Sequence, residues 1–163
     1  KNKSWNPDCA SWVNWLHNFC TRLLGINVLR MKKYYSSQHS RVAYDTEIGA
    51  VEIAWYGAPE QEEFRNACLS VIDVLQEKAT SKVLTDNTHA GVFSSEDQQW
   101  LNEVWLPKAY KAGYRVSATV VSDNPFVQYA VSNISRERDK DKFKARSFTD
   151  KEEARQWLKA FSR

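Results

Sequence analysis

Residues 81–113, SKVLTDNTHAGVFSSEDQQWLNEVWLPKAYKAG, decide the fold. Lys82–Thr85 is a short apolar run and predicts a central strand. Asp86-Asn87-Thr88-His89-Ala90-Gly91 is rich in turn formers and predicts a loop. Ser94 with Asp97 three residues later resembles a capping box, which starts a helix near Ser94. Trp100, Leu101, Val104, Trp105 and Ala109 share one broad face of that helix. Pro107 falls inside the pattern and should kink or interrupt it. Gly113 is placed to cap its end.

Working outward, Tyr114–Val121 reads as the next strand, with Val116, Ala118 and Val120 on one face. Asn124 then caps a helix opening at Pro125, lined by Phe126, Val127, Ala130, Val131 and Ile134. Phe143–Phe148 is a last strand, placed at an edge by its alternating lysine and arginine. Thr149-Asp150 caps a closing helix packed through Ala154, Trp157, Leu158 and Phe161. Upstream, residues 31–40 are polar and read as loose. Arg41–Asp45 and Gly49–Tyr56 form a hairpin about a turn at Asp45-Thr46-Glu47. Pro59 opens a helix to about Lys78, buried through Phe64, Cys68, Val71 and Leu75. Cys68 is therefore a small core residue. The order β-β-α-β-α-β-α-β-α predicts an α/β fold: a single mixed, mainly parallel sheet of about five strands that opens with a β-hairpin and is covered by helices.

The chain of 163 residues suits one domain. Lys1, Lys3, Arg22 and Arg30 against Asp8 account for the whole net charge of +3, so residues 31–163 are neutral. A neutral domain lacks a nucleic-acid footprint. The run RERDKDKFKAR at 136–146 mixes both signs and reads as solvated surface. Three cysteines without metal spacing argue against a disulfide framework or a zinc site and point to a reducing cytoplasm. Residues 1–30 have a composition of their own, and Met31 looks like a natural start. Two readings stand for this leader: sequence foreign to the domain at 31–163, or an amphipathic helix. In the second, Trp12, Trp15, Leu16, Phe19, Leu23 and Leu24 form one stripe that docks on the domain or lies on a membrane.

No nucleophile elbow, phosphate loop, zinc-protease motif or dinucleotide fingerprint occurs, so no enzyme, no cofactor and no metal is expected. One polar cluster remains. Asp86, Asn87 and His89 end one strand, and Asp123 with Asn124 ends another. In an open α/β sheet, ligands favour such ends. If those strands are neighbours, the side chains converge near two helix starts, where an anion could bind. Each residue also has a plainer role, as a loop, cap or surface group.

The stretches VEIAWYGAPEQEEFRNA, KVLTDNTHAGVFSSEDQQWLNEVWLPKAYKAGYRVSATVV and FTDKEEARQWLKAF carry a resemblance to the STAS fold. They are closest to its SpoIIAA-like, SEC14-related branch. Bacterial proteins of that branch similarly carry Asp-Asn after the central strand, D-x-x-W on the next helix, and a closing acidic-Glu-Ala-x-x-Trp-Leu helix. Here these are Asp86-Asn87, Asp97 with Trp100, and Glu152 to Leu158. The resemblance covers about residues 41–162. It implies a non-enzymatic regulatory or protein-interaction module, since anti-sigma-factor antagonists bind a partner kinase. Those proteins are switched by a serine after the central strand. This chain has Asp86-Asn87-Thr88 there, with Thr88, Ser94 and Ser95 as the nearest hydroxyls. The contact surface would be the Asp86–Ser95 loop and the Trp100–Pro107 helix. The SEC14 relationship implies the alternative, a carrier of a small lipophilic ligand associating reversibly with a membrane surface. Trp100 and Trp105 would then form a lid.

Overall fold

The computed structural model describes residues 31–136 and 143–161. Both readings of residues 1–30, and the charged residues 137–142, lie outside the described residues. One six-stranded sheet runs in sequence order: β1 (Met31–Ser36), β2 (Ser40–Asp45), β3 (Ala50–Gly57), β4 (Lys82–Ala90), β5 (Val116–Val121) and β6 (Lys144–Phe148). The first three strands are antiparallel, and β3 to β6 are parallel. Helix α1 is Gln61–Lys78, α3 is Pro125–Arg136 and α4 is Lys151–Lys159. Between α1 and α3, helix α2 covers 95–111 in three pieces. It is α-helical over Ser95–Trp100, π-helical over Leu101–Trp105 and α-helical again over Leu106–Lys111.

The topology explains the layers. Each parallel strand lies on the same side of its predecessor, so right-handed crossovers put α1, α2 and α3 on one face. The main core lies there, where Val51, Ile53 and Trp55 of β3 and Val83 of β4 meet Phe64, Val71 and Leu75 of α1 and Trp105 of α2. The alternate residues face the other way. Ala50, Leu84, Val116, Ala118 and Val120 pack with Ala154 and Leu158 of α4, which covers the second face. Period-two alternation thus gives the sheet two apolar sides.

The structure corrects several sequence expectations. Residues 31–36 are a strand rather than a loose lead-in, antiparallel to β2. Their lysines face water at an edge, which is why the stretch reads as polar. The Tyr34 hydroxyl donates to Glu77 Oε1 at 2.8 Å and ties β1 to α1. Pro59 stands before α1, whose N-cap is Glu60. The Asp86–Ala90 segment is strand and not loop. Asp86 and Asn87 pair with Val120 and Val121, and His89 and Ala90 pair with Tyr56 and Gly57. Between Ala54 and Tyr56 the β4 partner advances by one extra residue, a bulge. Asp86 Oδ1 holds it by accepting the Thr88 N–H at 3.1 Å and the Thr88 hydroxyl at 2.6 Å. Just beyond, the Gly91 N–H donates to the Gly57 carbonyl at 2.6 Å. A Cβ on Gly91 would sit 2.7 Å from the Ala58 nitrogen, so only glycine fits this approach.

Pro107 neither ends α2 nor breaks it into separate helices. Its ring would clash with the preceding turn of an α-helix. The π turn immediately before it widens that turn, with the Leu106 N–H bonding the Leu101 carbonyl. The extra residue also rotates the buried face. Leu106 turns inward, while Val104, expected in the core, is exposed. The expected caps at Ser94, Asn124 and Asp150 are present. Their side chains accept from the backbone of Asp97, Phe126 and Glu153 at 3.1, 2.9 and 2.8 Å. Gly113 closes α2 with a positive φ of 99°.

Candidate functional site

β4 carries the polar cluster, and the pleat divides it. Asp86 faces α4. Its Oδ2 lies 3.0 Å from the Lys151 ammonium, which also donates to Glu52 Oε1 at 2.8 Å. Arg41 reaches the same Glu52 oxygen at 3.3 Å. Burial is the largest influence on Asp86 and pushes its pKa up. Hydrogen bonds from Thr88 and Lys151 outweigh it and hold the carboxyl below its ordinary value. For Lys151 burial again acts first, downward, and the Glu52 and Asp86 carboxylates outweigh it and raise the pKa. These charges are neutralised by one another and fasten α4 to the sheet.

Asn87 faces the opposite way, into the α1/α2 side, and is only 2% exposed. There it lines a cavity of about 80 Å³. The sheet supplies the floor through Thr85, Asn87 and Thr119, and Thr85 and Thr119 are register partners on β4 and β5. Leu101, Asn102 and Trp105 of the π turn form the roof, while Phe64 and Cys68 of α1 and Val131 and Ile134 of α3 close the sides. Burial, then the nearby Asp97 carboxylate, pushes the Cys68 thiol far up, so it is an inert wall, as expected for a core cysteine.

The remaining predicted residues separate further. Thr88 and His89 are exposed at the end of β4, and Asp123 and Asn124 are exposed before α3. Asn124 is occupied as the cap of α3. Ser94 caps α2, with its hydroxyl 2.7 Å from Asp97 Oδ2, while Ser95 is exposed. β4 and β5 are neighbours, but Asp86 and Asn87 point to opposite faces, so the cluster does not converge on one reacting atom. Trp100 is half-buried, edge-on to Phe64 at 6.4 Å and under the Arg65 guanidinium at 5.2 Å. Trp105 is buried. Its indole N–H donates to the Cys68 carbonyl at 2.6 Å, and its ring meets Tyr114 at 5.5 Å. Trp105 is therefore absent from the outer contact surface expected of it and belongs to the cavity roof.

Sequence reasoning missed two features. Asn102 sits in the π turn, and α-helical phasing gives no reason to aim it at the sheet. Phe126 was expected in the core, yet it is 71% exposed, with Tyr129 at 65%. These two aromatics make a second stripe on α3, away from the buried Val127 and Ala130. Their i, i+3 spacing was the available signal. Val92 is also exposed, just past β4, as is Tyr56, the register partner of His89. Among the described residues no cluster of three or more His, Cys, Asp or Glu is placed to hold a metal, and no helix is long and apolar enough to cross a membrane.

No family model matches the sequence, and no curated protein matches it. Two solved structures do resemble the fold. One is the anti-sigma factor antagonist SpoIIAA in its unphosphorylated form. It has a TM-score of 0.50 and 10% identity, over 82% of this chain and 99% of that one. The other is an uncharacterized protein of the DUF3478 family, with a SpoIIAA-like fold, from Shewanella loihica PV-4. Its TM-score is 0.54 at 14% identity, over 76% of this chain and 98% of that one. At such identities the likeness concerns the path of the chain. A hairpin-led sheet, parallel strands in sequence order and helices on both faces make this a domain of the SpoIIAA-like, or STAS, fold.

Proposed function

We propose that this chain is a non-catalytic regulatory module of the anti-sigma-factor-antagonist type, which binds a protein partner at the carboxyl ends of its parallel strands. The observation that carries this reading is the set of exposed apolar side chains at that end. Tyr56 lies at the end of β3, Val92 follows β4, and Phe126 and Tyr129 lie in the first half of α3 after β5. Exposed aromatics at one end of a sheet suit a protein interface, where Tyr and Phe are enriched. Thr88, His89 and Ser95 supply polar groups beside them. The neutralised Asp86 and the capping Asn124 support a role without acid–base chemistry. A lipid carrier has less support, since about 80 Å³ is well under the roughly 300 Å³ of a small-molecule pocket.

The test is a quantitative pull-down with the wild-type chain beside Phe126→Ser/Tyr129→Ser, followed by direct titration of the captured protein. Both side chains are exposed, so the double variant should melt close to wild type. We expect its affinity for the partner to fall by about tenfold or more, as for aromatic anchors. Equal affinity of the two chains for every captured protein would remove this end of the sheet as the interface.

A further inference from the structure

The two edges of the sheet are finished differently. β1 is interrupted by a bulge between Lys33 and Tyr35, and its Lys32 is tied to Glu77. β6 pairs with β5 in unbroken register and is the last strand of the sheet. Its residues Lys144 to Ser147 are all exposed. The Lys144 N–H donates to the Arg115 carbonyl at 2.9 Å, so residues 144, 146 and 148 turn their backbone groups to β5. Ala145 and Ser147 therefore point their N–H and C=O groups outward, and among the described residues nothing meets them. Lys144 and Arg146 share the α4 side of the strand with Phe148. The Arg146 guanidinium lies 4.9 Å from the centre of the Phe148 ring, and among the described residues neither cation has an ion-pair partner. Asp150, the first carboxylate after β6, is engaged as the cap of α4.

We propose that the free edge of β6 accepts an extended segment of a partner protein, paired antiparallel, in which two acidic residues flank an apolar one. Charge and geometry select this occupant. In such an addition Ala145 exchanges both backbone bonds with the central apolar residue. Lys144 and Arg146 then fall at non-hydrogen-bonded positions, where facing side chains approach most closely. Two carboxylates two residues apart thus meet two cations on one side of the strand. On the other side Ala145 and Ser147 are small and leave room for the apolar side chain. A second copy of the chain complements this edge poorly. β6 against β6, centred on Arg146, would oppose Arg146 to itself, and β1 would bring Lys32 and Lys33. The cations that guard the edge against unselective pairing therefore also choose the strand it takes. In strand addition the backbone bonds give affinity and the side chains give choice. The surface is a lateral edge, so it is independent of the aromatic set at the strand ends.

The test is a nitrogen-15 correlation titration of the full chain with the peptide acetyl-Thr-Glu-Val-Glu-Thr-amide. One control replaces both glutamates by glutamine. The other N-methylates the valine, which keeps the charges but removes the backbone donor. The glutamate peptide should shift the Ala145 and Ser147 amides saturably, with a Kd of about a few millimolar. The glutamine peptide should bind about fivefold more weakly, and the N-methylated one about tenfold more weakly. The double variant Lys144→Glu/Arg146→Glu changes exposed residues and should melt close to wild type. It should prefer the peptide with lysine in place of glutamate. If it does not fold, the three peptides on the wild-type chain decide alone. Equal affinity of the glutamate peptide and either control would overturn the proposal. So would shifts confined to Phe126 and Tyr129, or no saturable shift up to about 20 mM.

Discussion

Asp45 is fully buried at the end of β2, and its carboxylate pairs with the Arg155 guanidinium of α4. Asp45 Oδ1 also accepts the Glu47 N–H at 2.9 Å. Arg155 lies 3.5 Å from Glu47 and 3.3 Å from Glu152 through its other nitrogens. Such a pair gives little net stability beside an apolar replacement, but removing one partner leaves a buried charge less well compensated. Arg155→Met should therefore destabilise the domain by about 3–5 kcal/mol in urea denaturation. Adding Asp45→Asn to it should restore much of that loss. A single variant within about 1 kcal/mol of wild type would mean that water reaches the carboxylate. Neither partner announces itself in the sequence. Asp45 reads as a turn residue and Arg155 as a helix-surface residue, because their pairing depends on which face α4 covers.

Among the elements, the β1–β2 turn is fastened to α1 by Glu63. Its carboxylate accepts the His39 N–H at 2.8 Å and lies 2.8 Å from His39 Nδ1. Burial, the largest influence, pushes the Glu63 pKa up. Hydrogen bonds from Ser37 and His39 outweigh it and bring the value down from 4.5 to about 2. A carboxyl depressed on folding stabilises the native state fully above its unfolded value, so this contribution is lost as pH falls from about 4.5 towards 2. Glu63→Gln should flatten that part of a stability-against-pH curve. An undiminished slope would place the acid sensitivity elsewhere. Elements of this kind were unequally legible. α1 and β3 follow from periodicity because their apolar residues meet one core. β1 was missed because an edge strand of lysines looks like loop. The far half of β4 was missed because Asp, Asn and Thr are turn formers unless neighbouring strands pair them, as β3 and β5 do here. The π turn was invisible because its cause, Pro107, signals only that an α-helix cannot continue unchanged.

At the scale of the whole molecule, the two faces of the sheet hold different chemistry. The α4 face is stitched by ion pairs among Asp45, Glu52, Asp86, Lys151 and Arg155. The α1/α2 face is mostly apolar, with Asn87 and Ser117 as buried polar exceptions. Sequence reading found the order of elements from β2 onward and the STAS resemblance, since both rest on local pattern. It placed Asp86, Asn87, His89 and Asp123 near one end of the sheet but could not assign them to faces, which takes the register of β4 against both neighbours. Sequential strand order also shapes how the chain folds. Each strand pairs with the one just before it, so assembly closes one helix-length loop at a time, which is the inexpensive regime for loop entropy. The Asp45–Arg155 contact departs from this economy by joining residues 110 positions apart. It should form after the rate-limiting step. In stopped-flow chevrons, Arg155→Met should then speed unfolding by about a hundredfold or more while barely changing the folding limb. A slowed folding limb would mean that α4 docks early. With late docking, α4 acts as a latch on the second face and governs how long the native state lasts more than how quickly it is reached.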